Sequence, residues 1–458
     1  MAEVRDLRIV VIGAGMGGLG TALAFAKKGF KHIDVYETAS NLGFVGAGIQ
    51  MPPNVNRILD RLGCWEEMYA EATNVKGTSI RQGSTDRELS HVLMPDIEEK
   101  YGYPHCTGHR SALAGGLFNG CKKESAIKFH FSTALVRVNS FGPKPSITLK
   151  PRDGDEYTVE ADVLLASDGI KSVTRTQMLA ELGTESREED TGQAAYRIML
   201  KRAEMEQDPE LRALIDSDTV VRWVGTRRHI IAYPVSNHQI YNLSTAQPDT
   251  NFAAATNATY TTRGSKAAML KVYEEFCPLV QRMLNLVPDG EVCEWKLRVH
   301  KPLPTWVHGS VALVGDACHP TLPHLSQGAA MAIEDGAVLA EVVSKIPADK
   351  ALDPETLNKT LKVYELLRKP HCSALVDLAA HSGRVLHLGE GKAKEERDRE
   401  FRQNGATGSV PDKWASPDVQ KMIYSQDCVK EAGENYERLL ATLSSAAEVS
   451  SKSEEEHD

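Results

Sequence analysis

The first forty residues contain a glycine-rich turn that connects a buried, apolar strand pattern to a helix. The turn carries Gly13, Gly15 and Gly18 in the spacing Gly-x-Gly-x-x-Gly. The first glycine permits a tight turn, the second admits a pyrophosphate close to the backbone, and the third allows the helix to pack on the strand. The next apolar strand ends at Glu37, which is placed to bind ribose hydroxyls. This βαβ pattern predicts an α/β fold with a Rossmann-type dinucleotide-binding domain.

A second segment, residues 315–336, reads GDACHPTLPHLSQGAAMAIEDG. Gly328 and Ala329 open an unbroken helical pattern, so unpaired backbone N–H groups and the positive end of the helix dipole meet there. Such a helix start suits an anionic or electron-rich group. Asp316, upstream of it, can accept hydrogen bonds from hydroxyl groups. The segment therefore predicts a site for a polyol and a delocalised anion, which a flavin with its ribityl chain combines.

Two further segments place polar residues where a turn leads into a helix. Asp168 and Gly169 follow the strand pattern 163–166, and alone they are equally well explained as an ordinary turn before a helix. Arg110 begins the helical segment RSALAGGL, where its guanidinium could neutralise a pyrophosphate or reach the flavin chain. Without the other motifs, Arg110 would be interpreted as a solvated arginine in a first helical turn.

Length and charge restrict the class of protein. The chain has 458 residues, enough for two or three domains, and its net charge of −9 argues against nucleic-acid binding. No apolar run is long enough to span a membrane, and the N-terminus shows no signal peptide. The eight cysteines include no C-x-x-C pair, which favours reduced thiols over disulfides or a metal site. We expect a cytoplasmic monomer or homodimer that binds no metal.

The motifs together resemble a known family. GAGMGG with Glu37, the run 46–50, His109-Arg110, SDGIKSVTR and the 315–336 segment occur in this order. They resemble the single-component FAD-dependent aromatic hydroxylases, the group A flavoprotein monooxygenases that include salicylate and para-hydroxybenzoate hydroxylases. The resemblance implies a GR2-like, Rossmann-type FAD-binding domain with an inserted mixed-sheet substrate domain and C-terminal helices. It also implies NADH or NADPH as co-substrate without a second Gly-x-Gly-x-x-Gly motif, and the sequence contains none.

The resemblance assigns roles to the motif positions. The ADP half of FAD is expected at the glycine loop and Glu37, the ribityl chain at Asp316, and the pyrimidine edge of the flavin at the helix start. The implied cofactor-binding residues are Gly13, Gly15, Gly18, Glu37, Ala47, Gly48, Arg110, Asp168, Gly169, Asp316, Gly328 and Ala329. The reduced flavin of such enzymes reacts with O2 to form a C4a-hydroperoxide, and one oxygen atom is transferred to a phenolic ring. The protein must exclude water from this site and favour the phenolate.

The segment HIIAYPV supplies candidates for substrate binding. His229 and Tyr233 are four residues apart in a strand pattern, so their side chains point to the same face. Hydroxylases of salicylate, 3-hydroxybenzoate and 6-hydroxynicotinate resemble the chain at these positions. The resemblance implies that His229 acts as general base toward the phenol and that Tyr233 hydrogen-bonds the phenolic oxygen. The alternative is a structural histidine and a packed tyrosine.

Two other residues are predicted to contact the substrate. Arg197, in AAYRIML, resembles the arginine of dearomatising, polyketide-modifying relatives that stabilises the substrate phenolate; it could equally clamp a carboxylate or form a surface salt bridge. His324, in PHLSQG, lies just before the helix that is expected to face the flavin. His319 is predicted to be structural, and His381 and His387 are predicted to have no ligand role.

These patterns give a predicted organisation and three candidate functions. The predicted parts are an FAD-binding domain (1–75, 100–185, 290–370), a substrate domain (76–99, 186–289), a helical region (371–443) and a disordered acidic tail (444–458). The first candidate is an FAD-dependent monooxygenase that uses NAD(P)H and O2 to hydroxylate a salicylate-like or hydroxynicotinate-like phenol. The second is a hydroxylase, possibly dearomatising, of a phenolic polyketide in secondary-metabolite biosynthesis. The third belongs to a different class, the FAD reductases that insert no oxygen.

Overall fold

The computed structural model describes residues 3–43, 47–250, 261–407 and 411–455. The strands are β1 (Arg8–Ile12), β2 (His32–Tyr36), β3 (Gly48–Met51), β4 (Thr73–Asn74), β5 (Gly77–Gln82), β6 (Glu88–Leu93), β7 (Cys106–His109), β8 (Ile127–His130), β9 (Thr133–Ser140), β10 (Ser146–Pro151), β11 (Tyr157–Glu160), β12 (Val163–Ala166), β13 (Glu188–Lys201), β14 (Thr219–Gly225), β15 (Arg228–Val235), β16 (Ile240–Pro248), β17 (Thr261–Arg263), β18 (Cys293–His300), β19 (Val307–His308) and β20 (Val311–Leu313).

The helices are α1 (Met16–Lys27), α2 (Pro53–Arg61), α3 (Trp65–Tyr69), α4 (Ile97–Tyr101), α5 (Arg110–Lys122), α6 (Val173–Glu181), α7 (Arg202–Met205), α8 (Pro209–Ile215), α9 (Lys266–Val272), α10 (Pro278–Asn285), α11 (Gly328–Ser344), α12 (Pro354–Leu386), α13 (Lys392–Thr407), α14 (Pro417–Tyr424) and α15 (Cys428–Glu455). Short 3-10 helices occupy Val4–Asp6, Gly315–Ala317, Ala348–Lys350 and Lys413–Ala415.

A parallel sheet with strand order β20-β12-β1-β2-β8 forms the centre of the first domain, and β19 pairs antiparallel at its edge. The apolar runs of β1 and β12 are buried almost throughout, as expected for strands covered on both faces. Helix α1 packs against α5 and α11. The predicted α/β fold with a Rossmann-type domain is confirmed.

The glycine loop is required by close backbone contacts. Gly13 has a φ of +92°, and a Cβ atom there would lie 2.4 Å from the carbonyl oxygen of Ser167. A Cβ atom at Gly18 would lie 1.9 Å from the carbonyl oxygen of Gly13. Only glycine fits at either position, because β1, α1 and the turn after β12 meet there.

The second domain contains an eight-stranded sheet with the order β17-β18-β13-β16-β15-β14-β5-β6. The β14–β5 pair is parallel and the other pairs are antiparallel, so the sheet is mixed, as predicted. Strand β18 belongs to this sheet and extends to His300, beyond the boundary predicted at residue 289. Alternate residues of β18 are buried, and the strand pairs with β13. This pairing places residues 293–300 in the sheet of the second domain.

The two faces of this sheet contact different cores. Along β15, Ile230 and Ala232 join a core formed with α9 and α10, whereas Ile231 and Tyr233 join the large core that contains β1 and α11. His229 is two residues before Ile231 and four before Tyr233, so all three side chains lie on the face of the strand that contacts the first domain. The face that His229 and Tyr233 were predicted to share is therefore the face that packs against the FAD-binding domain.

The C-terminal helices complete the first domain. Helix α12 is one continuous helix of 33 residues that includes Pro370, so it crosses the predicted boundary between residues 370 and 371. Helix α15 continues to Glu455. The disorder of the acidic tail from residue 444 stays a prediction. Leu439, Leu440 and Leu443 pack against the large core and fix the helix that runs through the start of the tail. Residues 456–458 lie outside the described residues. Within the described part of the chain, every helix is too short or too polar to cross a membrane.

Candidate active site

Glu37 is bound to the glycine loop by its own carboxylate. One oxygen accepts a hydrogen bond from the backbone N–H of Ala14 at 2.8 Å, and the other accepts from Ala39 at 2.8 Å. A carboxylate offers about four lone-pair sites, so two remain for further donors. Gly15 is exposed at the start of α1, and a Cβ atom there would contact nothing within 4 Å. The loop, the open helix start and the acid thus form the arrangement predicted for the adenosine half of a dinucleotide.

Asp316 lies in the short helix Gly315–Ala317, which packs against α11. Between residues 311 and 320 it is the exposed residue in a run that is otherwise buried. The surrounding protein nevertheless raises the pKa of its carboxyl, while the positive charges of His319 and Arg110 oppose that rise. Helix α11 begins at Gly328, and the side chain of Gln327 does not cap it. An accessible acid next to an uncapped helix start fits a ribityl chain and an electron-rich ring.

Asp168 and Gly169 form a turn that is tied to the same region. One oxygen of Asp168 accepts hydrogen bonds from the N–H and the hydroxyl of Thr174, both at 3.1 Å, and Gly169 has a φ of +74°. Arg175 donates to the carbonyl oxygens of Ile170 at 2.7 Å and Ala317 at 3.2 Å. The SDG turn is therefore held against the segment that contains Asp316. A role for Asp168 and Gly169 in cofactor binding stays a prediction.

A buried ionic network holds the segment 315–319 in place. Asp335 of α11 accepts hydrogen bonds from His319 at 2.6 Å, from the N–H of Gly315 at 3.0 Å and from Arg368 of α12 at 2.9 Å. Arg368 also binds Glu334 at 2.7 Å. All four side chains are buried. His319 thus has the structural contacts that the sequence suggested.

Arg110, Arg197 and Tyr233 come together at the junction of the two domains. Burial, followed by the charge of Arg110, lowers the pKa of Arg197 to about 10. Burial raises the pKa of Tyr233, and the two guanidinium groups oppose that rise. The charge of Asp316 also acts on Arg110, so Arg110 interacts electrostatically with both Asp316 and Tyr233. Neither arginine forms an ion pair with any residue that the structure describes.

Arg197 is held by an aromatic ring instead of a carboxylate. Its guanidinium carbon lies 4.7 Å above the ring of Trp295 on β18. Such a contact stabilises a cation without neutralising its charge. No described residue forms the surface salt bridge that was the alternative for Arg197, and the side chain lies in a partly enclosed site.

Gly48 allows the two domains to approach each other at Tyr233. Its N–H donates to the side-chain oxygen of Asn242 at 2.6 Å. A Cβ atom at Gly48 would lie 2.5 Å from Asn242 and 2.8 Å from the ring of Tyr233. Ala47 is buried, and its carbonyl oxygen accepts the N–H of Arg110 at 2.9 Å. Gly46, from the same motif, lies outside the described residues.

His229 and His324 belong to a separate cluster of three histidines. Their ring centroids are 5.3 Å apart, and His387, at the end of α12, contacts both rings at 4.9 and 5.8 Å. Nδ1 of His229 lies 2.7 Å from Nε2 of His387. The prediction that His387 has no ligand role overlooked this contact. Gly383 makes room for the cluster, since a Cβ atom there would lie 2.6 Å from Nε2 of His324.

The three histidines are neutral. Burial, and then the charge of neighbouring groups, lowers the pKa of His229 and of His324 well below the usual value, and it lowers the pKa of His387 to about 4. Both ring nitrogens of His324 are buried without a hydrogen-bond partner among the described residues. Neutral imidazoles can accept a proton, and the unpartnered nitrogens of His324 point to a ligand or water that completes the site.

The predicted residues therefore form two groups on one side of the sheet. Arg197 and Tyr233 lie with Arg110, and His229 lies with His324. The sequence did not reveal that Arg110 also acts on Tyr233 or that His387 contacts His229. The position of Arg110 directly after a short strand could have indicated its role. Nothing near His387 in the sequence distinguished it from His381, which is exposed on the same helix.

Comparisons with known proteins show what this chain is similar to. A family model for an FAD binding domain matches residues 6–379. The FAD-dependent monooxygenase atnJ of Arthrinium sp is 29% identical over 406 residues, which cover 89% of this chain and 91% of that protein. The 6-hydroxynicotinate 3-monooxygenase of Bordetella bronchiseptica is 32% identical over 347 residues, covering 73% and 82%. A solved salicylate hydroxylase substrate complex shares the fold, with a TM-score of 0.75, 22% identity, and coverage of 95% of this chain and 98% of that one.

Proposed function

Because the chain belongs to the single-component FAD-dependent aromatic hydroxylases, we propose that it uses NADH or NADPH and O2 to hydroxylate a small phenolic substrate. The single observation that carries the choice of a phenol is the position of Tyr233, where Arg110 and Arg197 both oppose the rise in its pKa. Two cations that form no ion pair with a residue in the described part of the chain, next to a tyrosine hydroxyl, favour an oxyanion between them.

Residues of the first domain would hold FAD. The glycine loop and Glu37 suit the adenosine half, Asp316 suits the ribityl hydroxyls, and the start of α11 at Gly328 and Ala329 suits the electron-rich edge of the ring. FAD, when bound, supplies hydride acceptance from the nicotinamide and activation of O2 for transfer of one oxygen atom. The backbone dipole of α11 would stabilise negative charge on the group that it faces.

The arginines and Tyr233 would act on the ring that is hydroxylated. An ionised phenol is more nucleophilic than a neutral one, because the negative charge is delocalised into the ring. Arg110 and Arg197 would lower the pKa of a bound phenol, as they already oppose the rise in the pKa of Tyr233. The Tyr233 hydroxyl would donate a hydrogen bond to the phenolate oxygen. Tyr233 belongs to the large core that joins the sheet to the first domain, and this core would help to keep water from the reacting ring.

The histidine cluster would receive the proton. His229 and His324 are neutral and lie on the side of the sheet that faces the first domain. A neutral imidazole within reach of a phenol can take its proton as a general base. His229 is the better candidate, because its hydrogen bond to His387 orients the ring, whereas His324 has no such partner.

We propose a salicylate-like or hydroxynicotinate-like phenol as the substrate, since the guanidinium of Arg197 could also bind a ring carboxylate. A phenolic polyketide is the second candidate. Arg197 beside Tyr233 favours it, because such a pair resembles the phenolate-stabilising pair of dearomatising relatives. We also propose that the enzyme works in the cytoplasm as a monomer or homodimer; its eight free cysteines support a reducing compartment.

The test is turnover of the FAD-loaded protein with a panel of phenols, with and without a ring carboxylate, under 18O2. We expect NAD(P)H oxidation that depends on the phenol and a product that has gained one labelled oxygen atom. Retention or loss of the carboxylate and of aromatic absorption distinguishes the two substrate classes. A protein that consumes NAD(P)H with every phenol yet yields only H2O2 would contradict hydroxylation of these compounds. A colourless protein that does not bind FAD would contradict the flavoenzyme itself.

A further inference from the structure

The end of α12 places His387 against the strand that carries His229. Residues 229 and 387 are 158 positions apart in sequence, and their nitrogens Nδ1 and Nε2 are 2.7 Å apart. This is the distance of a direct hydrogen bond. Two neutral imidazoles share a single hydrogen in such a contact, so one ring donates and the other accepts.

The direction of this hydrogen bond determines what His229 can do. If His229 donates from Nδ1, its Nε2 carries a lone pair and can accept a proton. If His387 donates instead, Nε2 of His229 carries a hydrogen and can only donate. No described residue hydrogen-bonds Nε2 of His229 or Nδ1 of His387, so the two outer nitrogens of the pair are open to other groups.

Hydrogen bonds to three consecutive carbonyl groups fix the backbone around His387. Its carbonyl oxygen accepts a hydrogen bond from the N–H of Arg227 at 3.1 Å. The guanidinium of Arg397 donates to the carbonyl oxygens of Val385 and Leu386, both at 3.1 Å. These contacts come from the β14–β15 turn and from α13, so two separate elements hold the backbone that carries the imidazole at His229. A side chain held in this way is suited to orient a partner.

Burial keeps both rings of the pair neutral, and nearby arginines reinforce this effect. Arg222 of β14 lowers the pKa of both rings, and Arg397 of α13 and Arg227 lower the pKa of His387. Arg222 is paired with Asp412, and Arg397 with Asp398, so the acids nearby are already engaged. No carboxylate of the described residues binds either ring of the pair. His387 therefore stands where a carboxylate stands in acid–histidine pairs, but it adds no charge.

We propose that His387 is a positioning residue: it accepts the Nδ1–H of His229 and so keeps Nε2 of His229 free to take the proton of the phenolic substrate. The proposal rests on the proposed function for the identity of that proton donor. The O–H bond of the phenol breaks, its proton forms a bond with Nε2, and the electron pair stays on the phenolate oxygen. The C-terminal part of the chain thus completes the active site of the substrate domain.

The first test measures the tautomer directly. Long-range 1H–15N spectra of FAD-loaded protein labelled with 15N-histidine report which ring nitrogen carries hydrogen, and His229→Asn identifies the signals of that residue. We expect His229 to be protonated at Nδ1 in the wild type and in His387→Gln, whose amide oxygen can accept the same hydrogen bond. In His387→Leu we expect this preference to be lost. A wild-type His229 that is protonated at Nε2 overturns the proposal.

The second test measures hydroxylated product per NAD(P)H oxidised, as a function of pH. His387→Leu should lower product formation by roughly a hundredfold, the order of a general-base contribution, and His387→Gln should restore most of it. His381→Leu, at an exposed position of the same helix, is the matched control and should behave as the wild type. Equal product formation and an unchanged His229 tautomer in His387→Leu overturn the proposal. If the wild type hydroxylates no phenol, the proposed function fails, and the tautomer of His229 still decides the role of His387.

Discussion

Arg222 and Asp412 form an ion pair from which solvent is excluded: their nearest N and O atoms are 2.6 Å apart, and the side chains are 3% and 1% exposed. Arg222 belongs to β14, and Asp412 caps the short helix Lys413–Ala415. The pair joins the eight-stranded sheet to the C-terminal segment, next to the histidine cluster. A charge buried at this point requires its partner, because an unpaired buried ion costs several kcal/mol.

Asp412→Ala should therefore be strongly destabilising. We expect the free energy of unfolding to fall by about 3–5 kcal/mol, because Arg222 would remain buried without a counter-ion. Urea unfolding of the FAD-loaded protein measures the change. Glu274→Ala is the control, since it breaks the exposed Lys271–Glu274 pair and should cost no more than about 1 kcal/mol. If both variants lost a similar free energy of unfolding, the buried ion pair would contribute no more to stability than the exposed one.

Tyr233→Phe and Arg197→Ala should impair hydroxylation while FAD remains bound. Each removes one charged or polar contact to the phenolate, worth roughly 1.5–3 kcal/mol, so product formation should fall by about ten- to a hundredfold. The flavin absorption of the purified variants and their product yield per NAD(P)H are the measurements. More H2O2 per NAD(P)H is expected in both variants.

Tyr241→Phe is the matched control for Tyr233→Phe. Tyr241 lies on the neighbouring strand β16 in the core of the opposite face, and its hydroxyl is buried without a hydrogen-bond partner among the described residues. Removing that hydroxyl should change neither product yield nor FAD binding. If Tyr233→Phe also behaves as the wild type, Tyr233 does not contact the reacting ring.

Asp316→Asn should weaken FAD binding. The carboxylate is accessible in an otherwise buried run, and hydrogen bonds to a charged acceptor are worth about 1.5–3 kcal/mol, so the Kd should rise about ten- to a hundredfold. Titration of the FAD-free protein, followed by quenching of flavin fluorescence, gives this Kd. Asp349→Asn, at an exposed position in the short helix Ala348–Lys350, should leave it unchanged. An unchanged Kd in Asp316→Asn would remove Asp316 from the cofactor site.

The glycine loop and the start of α11 could be predicted from local sequence. The positions of Gly13, Gly18 and Gly328 follow from how a strand, a turn and a helix connect, and each connection involves only a few residues. The common face of His229 and Tyr233 followed from the period of a strand. In these segments local geometry alone fixes which residues meet.

The remaining contacts depend on packing between distant segments. His387 meets His229 across 158 residues, and Asp412 meets Arg222 across 190 residues. Helical periodicity shows that α12 has a buried side, but it does not show which strand that side reaches. The same limit applies to β18, which lies beyond the boundary predicted at residue 289 and joins its sheet by pairing with β13. Long-range pairing of this kind cannot be predicted from a local sequence pattern.

His105 should make the stability of the protein sensitive to mild acid. It is fully buried, its Nδ1 lies 3.0 Å from the hydroxyl of Tyr424, its Nε2 lies 3.0 Å from the side-chain oxygen of Gln50, and burial lowers its pKa to about 3. Between pH 6.5 and 3 the unfolded chain binds a proton at this residue that the folded chain does not bind. The free energy of unfolding therefore falls as the pH falls through this range.

His105→Gln removes this titration and keeps a polar side chain that can bond to both neighbours. Between pH 7 and pH 5 the wild type should lose about 2 kcal/mol more of its unfolding free energy than the variant, since each unit of pKa difference is worth about 1.36 kcal/mol. Urea unfolding at the two pH values gives both losses. Equal losses would mean that His105 is protonated in the folded protein, which its hydrogen bond from the Tyr424 hydroxyl opposes, since a protonated ring has no acceptor at Nδ1.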